Sequence, residues 1–302
     1  MAKDSIEVEA PAKVNLTLEV LGRRDDGYHE LCSVMQALSL ADRLTFEPSD
    51  ALRLHCTEPA LEGPGNLVWR AAELLRRHAG IRRGAAITLH KQIPVAAGLG
   101  GGSSDAAATL RALAALWDLH LPPEALADLG AQVGSDVPFF LGPAACALVE
   151  GRGERVRPLP LLPARWVVLL KPPTGIATGE VYRAFPPARW ADGRRTGRWL
   201  AAAAAGEVPA PFNDLEPVAL EVAPAAAAAR DALLAAGAPH AVLSGSGSAY
   251  FALFTTLREA ERVRAAIPPA AGKALLARFL QAMPAPHTAR KRGSSLECSV
   301  AE

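Results

Sequence analysis

A glycine-rich segment, Pro94–Asp105, carries the residue types and spacing that most directly suggest chemistry. It reads PVAAGLGGGSSD, with glycine at 98 and at 100–102. Glycine adopts positive φ at little cost, and successive exposed N–H groups can then form a concave site for an anion. Ser103 and Ser104 favour a helix N-terminus, which attracts phosphate, and an alanine- and leucine-rich helix is predicted to follow. The segment therefore predicts a phosphate-binding loop.

The loop matches none of the common nucleotide motifs. It contains neither G-x-x-x-x-G-K-[ST] nor G-x-G-x-x-G, and the chain lacks the H-R-D and D-F-G pair of protein kinases. Asp105 suits the start of a helix but would repel phosphate if its side chain faced the loop. A flexible loop before a capped helix is therefore an open alternative on these residues alone.

An alternating segment brings two more polar residues to one face. In Pro11–Val20, apolar residues alternate with Lys13, Asn15, Thr17 and Glu19, which predicts a half-buried strand. Lys13 and Asn15 then project the same way and could share a site. A solvated lysine at a strand edge is the alternative.

Three further positions combine suitable chemistry with a turn. Tyr28 and His29 follow a predicted turn and could bind a flat base, or could simply pack at a strand end. Asp136 lies in Gly134–Phe140 (GSDVPFF), where a cap or turn role is the simpler interpretation. A second glycine turn, Gly245–Ser248, joins two predicted strands.

The elements that must position these residues are a mixture of predicted strands and predicted helices. A segment rich in Gly, Arg and Pro suggests a boundary that divides the chain into 1–158 and 159–286. Residues 187–210 are predicted to be a variable loop with one helix, and 287–302 a disordered tail. Predicted strands cover 11–20, 28–40, 52–56, 86–90, 166–170, 240–244 and 249–254, and predicted helices begin at 66 and after 105 and cover 124–133, 216–236 and 257–267.

Composition narrows the class of protein. The 302 residues include 32 Lys and Arg against 31 Asp and Glu, a balance that argues against a nucleic-acid binder acting through bulk charge. No apolar run reaches the roughly 18 residues of a membrane span, and the first residues lack a secretory signal. Four scattered cysteines without a CxxC pair predict reduced thiols, and no histidine pair suggests zinc. A cytoplasmic enzyme is the resulting expectation, without a membrane or nucleic-acid partner.

Four motifs in the same order resemble the GHMP kinases, a family that includes galactokinase and homoserine, mevalonate and phosphomevalonate kinases. The glycine-rich segment is similar to the family's ATP loop. Within the family, the resemblance is to the branch that acts on 4-diphosphocytidyl-2-C-methyl-D-erythritol. It is carried by PAKVNL from Pro11, GRRDDGYHEL from Gly22, GSDVPFF from Gly134 and LSGSGS from Leu243, with NDLE from Asn213.

The resemblance implies a two-domain α+β fold with ATP bound in the N-terminal domain. The first domain would be similar to ribosomal protein S5 domain 2, and the second to a ferredoxin-like α/β plait. It also implies transfer of the γ-phosphoryl group of ATP to the 2-hydroxyl of the cytidyl-linked acceptor, in the non-mevalonate route to isoprenoid precursors. Mg²⁺ is expected with ATP, its ligands being unknown, and the protein is expected to be a monomer or weak homodimer.

The resemblance also implies a role for each candidate residue. Asp136 would be the base on the acceptor hydroxyl and Lys13 its cationic partner, which would keep the carboxylate charged. Acceptor binding would involve Asn15, Tyr28, His29 and Tyr182, with Phe185 as the alternative to Tyr182 for stacking on cytosine. The turn Gly245–Gly247, which could otherwise be a plain hairpin turn, would let the backbone of the second domain approach the acceptor. ATP would bind to Pro94, Val95, Ala96, Ala97, Gly98, Leu99, Gly100, Gly101, Gly102, Ser103 and Ser104.

Two rival functions remain open from the sequence. One is another GHMP kinase, acting on homoserine or a mevalonate phosphate, against which the Tyr28-His29 pair argues. The other is a non-catalytic nucleotide-binding protein, against which the presence of both Lys13 and Asp136 argues.

Overall fold

A computed structural model describes residues 5–289 of the chain, in two sheets flanked by helices. The strands are β1 (Ser5–Arg23), β2 (His29–Ser49), β3 (Leu52–Cys56), β4 (Gly84–His90), β5 (Cys146–Gly151), β6 (Arg155–Pro158), β7 (Trp166–Lys171), β8 (Phe212–Asn213), β9 (Val242–Leu243), β10 (Tyr250–Phe254), β11 (Lys273–Arg278) and β12 (His287–Ala289). The α-helices are α1 (Leu67–His78), α2 (Gly101–Leu116), α3 (Pro123–Val133), α4 (Val137–Leu141), α5 (Thr178–Ala184), α6 (Arg194–Ala204), α7 (Glu216–Val222), α8 (Ala227–Ala235) and α9 (Leu257–Ala266).

The first sheet is built on the long antiparallel pair β1 and β2. Its order is β12-β1-β2-β4-β3, with β5 and β6 added beside β2 and β8 parallel to β1. The prediction of a half-buried strand at 11–20 is wrong, because every residue from Ala10 to Val20 is buried. Val14 and Leu16 pack in one cluster with Leu169 and Phe251 of the second sheet. The polar residues of β1 are therefore buried too and depend on internal hydrogen bonds.

The second sheet is antiparallel, in the order β11-β7-β10-β9. One face contributes Val167, Leu169 and Phe251 to the cluster shared with β1. The other face packs with α8 and α9, in a cluster that includes Leu233 and Val263. The two sheets thus pack through an apolar layer, which is how β1 comes to have both faces covered.

The chain passes from the first sheet to the second between β6 and β7, where the sequence predicted a boundary. That boundary stays a prediction, because β8 and β12 return to the first sheet from the later part of the chain. The predicted tail is wrong for 287–289, which pair with Ser5–Glu7 as β12. Residues 290–302, the rest of that tail, lie outside the described residues.

The helix cap predicted at Asn66 is confirmed. Asn66 caps α1, its side-chain oxygen accepting the Val68 N–H at 2.9 Å. The segment 187–210 contains one α-helix, α6, whose Trp199 is buried, and a short 3-10 helix at Pro187–Arg189. Among the described residues, no helix combines the length and apolar character that crossing a membrane requires. Cys32, Cys56 and Cys146 are free thiols, and Cys298 lies outside the described residues.

Candidate active site

The glycine loop joins the end of β4 to the start of α2. Gly98 and Gly100 have φ of 75° and 70°, in the left-handed region that favours glycine. Gly100 is the N-cap and α2 begins at Gly101. The expectation that Ser103 or Ser104 caps the helix is therefore wrong, because both serines lie within its first turn. The run of glycines therefore supplies both the turn and the first helical N–H groups, which lack carbonyl partners within the helix.

A turn from the second sheet packs directly against the back of the glycine loop. Ala249 N–H donates to the Ala97 carbonyl at 3.0 Å, and the Ser244 hydroxyl donates to the Gly98 carbonyl at 3.0 Å. A Cβ built on Gly98 would lie 2.0 Å from the Ser244 carbonyl oxygen. The Gly245–Ser248 turn and the residues on either side of it thus support the glycine loop from behind. The sequence had predicted only that this turn approaches the acceptor.

A cavity of about 450 Å³ opens on the glycine loop, between it and the start of α1. It is lined by ten of the eleven residues predicted to bind ATP, 94–103, together with Asn66 and Leu67 at the start of α1. Ser104 does not line this cavity. Its hydroxyl is buried and has no hydrogen-bond partner among the described residues. We refer to this cavity as the nucleotide cavity.

Asp105, which the sequence left as a possible source of repulsion, is held by a lysine. Lys91 Nζ donates to Asp105 at 2.8 Å and also to Asp42, and all three side chains are almost fully buried. Burial raises the pKa of Asp105, Lys91 acts against that rise, and Asp42 adds to it. Asp105 and Lys91 both line the nucleotide cavity, so the Asp105 carboxyl is balanced there by an ammonium that lies beside it.

A second cavity of about 660 Å³ adjoins the first, and Gly98, Gly100 and Thr178 line both. Lys13 and Asp136 lie in its wall, with the Lys13 ammonium nitrogen 3.5 Å from a carboxylate oxygen of Asp136. Residues from the beginning and the middle of the chain thus converge beside the glycine loop. We refer to this second cavity as the acceptor cavity.

Lys13 is fixed by a chain of hydrogen bonds along β1 and β2. Its ammonium donates to Asn15 Oδ1 at 2.6 Å, Asn15 Nδ2 donates to Ser33 Oγ at 2.7 Å, and Ser33 Oγ donates to the Thr17 carbonyl at 2.6 Å. The Lys13 N–H donates to the Leu99 carbonyl at 2.9 Å, which ties β1 to the glycine loop. Asn15 therefore orients the lysine, and Ser33, which sequence reasoning missed, orients Asn15.

Asp136 is positioned by the short helix α4. It is the N-cap of that helix, yet its side chain makes no capping hydrogen bond. Proline at 138 favours a helix start at this point, and Phe139 and Phe140 anchor the helix in the core. The carboxylate is free to face the cavity, where 28% of the side chain remains exposed.

The predicted aromatic residues all line the acceptor cavity. His29 and Tyr182 have ring centroids 5.2 Å apart, and Tyr28 is 49% exposed beside them. Burial, and then the nearby Arg23, lowers the pKa of His29, so its ring is neutral near pH 7. Burial, and then Asp136, raises the pKa of Tyr182. Phe185, the alternative stacking residue, lines the same cavity.

The acceptor cavity carries an excess of positive charge. Arg23, Arg152 and Arg183 line it with Lys13, and Asp136 is the one carboxylate among the described lining residues. The Arg152 guanidinium lies 4.9 Å from the centre of the Tyr28 ring and donates to the Ala131 carbonyl at 2.8 Å. Sequence reasoning missed all three arginines, because nothing in their local sequence marks a cavity. The charge fits an anionic acceptor.

Within residues 5–289, no group of three or more His, Cys, Asp and Glu side chains could hold a metal ion. The part of the chain that is described therefore provides no metal cage of its own.

Replacing Gly98 with alanine is expected to lower the free energy of unfolding by at least about 2 kcal/mol. The new Cβ would collide with the Ser244 backbone and would require an unfavourable positive φ. Denaturant unfolding measures the loss. Gly102→Ala is the matched control, because its Cβ would meet only Leu67 at an ordinary 3.4 Å within a helix. Equal stability of the two variants would contradict the packing described here.

Comparison with known proteins agrees with this geometry. The family model for the GHMP kinase N-terminal domain matches residues 66–142, and the model for the GHMP kinase C-terminal domain matches 192–274. A 4-diphosphocytidyl-2-C-methyl-D-erythritol kinase of Pelotomaculum thermopropionicum is 48% identical, over 85% of this chain and 91% of the relative. One of Symbiobacterium thermophilum is 45% identical, over 91% of this chain and all of the relative.

Solved structures agree at the level of the fold. A crystal structure of a 4-(cytidine 5'-diphospho)-2C-methyl-D-erythritol kinase is 42% identical with a TM-score of 0.77, covering 90% of this chain and 98% of that one. A homoserine kinase of Cytophaga hutchinsonii is only 20% identical, with a TM-score of 0.68 over 94% and 98% of the two chains, and shows the shared fold alone. The predicted two-domain α+β fold is confirmed. The chain therefore belongs to the GHMP kinases, in their branch of 4-diphosphocytidyl-2-C-methyl-D-erythritol kinases.

Proposed function

We propose that this protein transfers the γ-phosphoryl group of ATP to the 2-hydroxyl of 4-diphosphocytidyl-2-C-methyl-D-erythritol. The products are ADP and the 2-phosphate, in the non-mevalonate route to isoprenoid precursors. The observation that carries the proposal is the Lys13–Asp136 pair, 3.5 Å apart, at the junction of the two cavities. The relatives named for this reaction support the choice of acceptor.

The glycine loop would hold the triphosphate through backbone N–H groups and the N-terminus of α2. The acceptor hydroxyl would then lie between the γ-phosphorus and Asp136, which accepts its proton as general base. Lys13 offsets the negative charge that develops on the attacking oxygen. Asn15 holds the Lys13 ammonium in place through its 2.6 Å hydrogen bond.

The acceptor cavity suits each part of the proposed acceptor. Tyr28, His29 and Tyr182 offer flat rings and a neutral imidazole to a cytosine. The arginines 23, 152 and 183 offer positive charge to a diphosphate. The polyol end would reach the Lys13–Asp136 pair, since that pair lies beside the glycines that both cavities share.

Mg²⁺ would enter as part of the nucleotide substrate, held chiefly by ATP phosphates and water. Bound to ATP, the ion neutralises charge on the β- and γ-phosphates. The cytoplasmic location and the monomeric or weakly dimeric state stay predictions from the sequence.

A coupled assay of ADP release by the purified protein tests the proposal. Release is expected with the cytidyl-linked acceptor and not with homoserine, mevalonate phosphate or buffer alone. Release with homoserine but not with the cytidyl-linked compound would assign the other GHMP activity. Binding of ATP without turnover of any acceptor would indicate a non-catalytic nucleotide-binding protein.

A further inference from the structure

The connection between α5 and α6 forms one side of the acceptor cavity. Phe185, Pro187 and Trp190 from this connection all line the cavity, and only Phe185 is buried in the core. The reaction proposed above assigns no role to Trp190. This residue lies in the segment 187–210, which the sequence predicted to be a variable loop. It nevertheless leaves 44% of its surface exposed. A tryptophan left open at the wall of a cavity requires an explanation, because burying its ring would be favourable.

The backbone around Trp190 is held in place. Trp190 N–H donates to the Pro187 carbonyl at 3.1 Å, and Ala191 N–H donates to the Val20 carbonyl of β1 at 2.8 Å. Arg189 forms an ion pair with Glu221 of α7 at 2.9 Å. The indole therefore does not belong to a free loop. Its backbone is anchored to β1 and α7, so a ligand that uses the ring meets a wall that is largely pre-organised.

Exposed apolar side chains are concentrated at the two cavities. The large hydrophobic side chains exposed within the described residues are Tyr28, Val95, Leu161, Trp190, Leu234 and Leu257. Tyr28 and Trp190 line the acceptor cavity and Val95 lines the nucleotide cavity. The acceptor cavity thus contains both of the exposed aromatic rings in this set. Scattered exposure is ordinary for a surface, but two open rings around one cavity indicate a ligand that covers them.

We propose that Trp190 is a specificity-determining residue that contacts the cytidine of the acceptor. The inference rests on the proposed function and adds a residue to it. A diphosphate or a polyol gains little from an indole, because both need charge or hydrogen-bond donors and acceptors. A nucleobase has an apolar face that stacks on an aromatic ring. The cytidine is the one part of the acceptor with such a face, so it is the part that Trp190 recognises.

Tryptophan fluorescence tests this contact directly. The purified protein is titrated with cytidine 5'-diphosphate in the presence of saturating ADP, so that the added ligand reports on the acceptor cavity. A saturable change in emission is expected from the wild-type protein and its loss from Trp190→Phe. Trp166→Phe is the matched control, since Trp166 lies on β7 and does not line the cavity. It is expected to keep the change.

Affinity and kinetics supply the second measurement. Trp190→Ala is expected to raise the Kd for cytidine 5'-diphosphate, and the KM for the acceptor, at least about fivefold. The KM for ATP should change much less, which a general loss of folding would not produce. An unchanged Kd in Trp190→Ala, or an unchanged emission response in Trp190→Phe, overturns the inference.

The two proposals can fail separately. If the wild-type protein phosphorylates the cytidyl-linked acceptor while Trp190→Ala binds cytidine 5'-diphosphate normally, only the role of Trp190 is wrong. If the wild-type protein binds cytidine 5'-diphosphate with the predicted dependence on Trp190 but never turns the acceptor over, the proposed reaction is wrong. Failure of the wild-type protein to bind cytidine 5'-diphosphate overturns the role of Trp190.

Discussion

Asp136→Asn is expected to lower kcat by roughly 10²–10⁴-fold, the usual contribution of a general base. Asparagine keeps the size of the side chain but cannot accept the proton of the acceptor hydroxyl. It also removes the negative charge 3.5 Å from the Lys13 ammonium. Affinity for ATP should remain within a few-fold of the wild-type value, because Asp136 lines the acceptor cavity and not the nucleotide cavity. Steady-state kinetics with ADP detection, together with calorimetric ATP binding, measure the two effects.

The matched control is Asp128→Asn, which makes the same change of charge on the exposed side of α3. It should leave kcat unaltered, because Asp128 lines neither cavity. Turnover by Asp136→Asn within about tenfold of the wild-type value would remove Asp136 from the role of base. A parallel loss of ATP binding would instead indicate that the substitution disturbs the glycine loop.

The parts of the site that the sequence predicted well are those with local signals. The glycines at 98 and 100 indicate backbone freedom directly, and both adopt a positive φ, which glycine reaches at little cost. Lys13 and Asn15 share a face because strand periodicity is a local property, and the structure joins them by a hydrogen bond. Their meeting with Asp136 was implied by the family resemblance alone, because no local pattern relates residues so far apart in the chain.

The parts that could not be predicted depend on contacts between distant segments. The burial of both faces of β1 requires knowing that the second sheet packs on it, which a single strand does not reveal. The support of the glycine loop by Ser244 and Ala249 joins residues about 150 positions apart. The partners of Asp105 were equally hidden, since Asp42 and Lys91 carry no signal that they will face the start of α2.

Lys91→Met is expected to lower the free energy of unfolding by about 3–5 kcal/mol, the usual effect of removing one partner from a buried ionic group. Lys91 is the one cation that directly contacts both Asp42 and Asp105 among the described ion pairs. Burial acts to lower its pKa, but the two carboxylates outweigh burial and raise it, so the lysine stays charged. Denaturant unfolding at neutral pH measures the loss. Lys273→Met, on the exposed edge of β11, is the control for removal of a lysine and should change stability by less than about 0.5 kcal/mol.

A second substitution and a change of pH separate this effect from lost packing. Asp42 keeps its backbone partners, the N–H groups of Gln92 and Ile93, whereas one oxygen of Asp105 has no partner among the described residues. Adding Asp105→Asn to Lys91→Met removes the carboxylate that has fewer hydrogen-bond partners. The double variant should therefore recover part of the lost free energy of unfolding. Burial already raises the pKa of Asp105 above its unfolded value, and loss of the ammonium would raise it further.

The direction of the pH dependence follows from proton binding. With the pKa of Asp105 higher in the folded state, the folded state binds more protons than the unfolded state, so Lys91→Met should gain stability as pH falls from about 8 to about 5.5. The double variant lacks that carboxyl and should show a flatter dependence. Stability of Lys91→Met that falls over this range, or that lies within about 1 kcal/mol of the wild-type value at neutral pH, would mean that the buried carboxylates do not depend on Lys91. The expected result would instead identify this ionic group as the internal support that holds the start of α2, and with it the glycine loop, against the sheet.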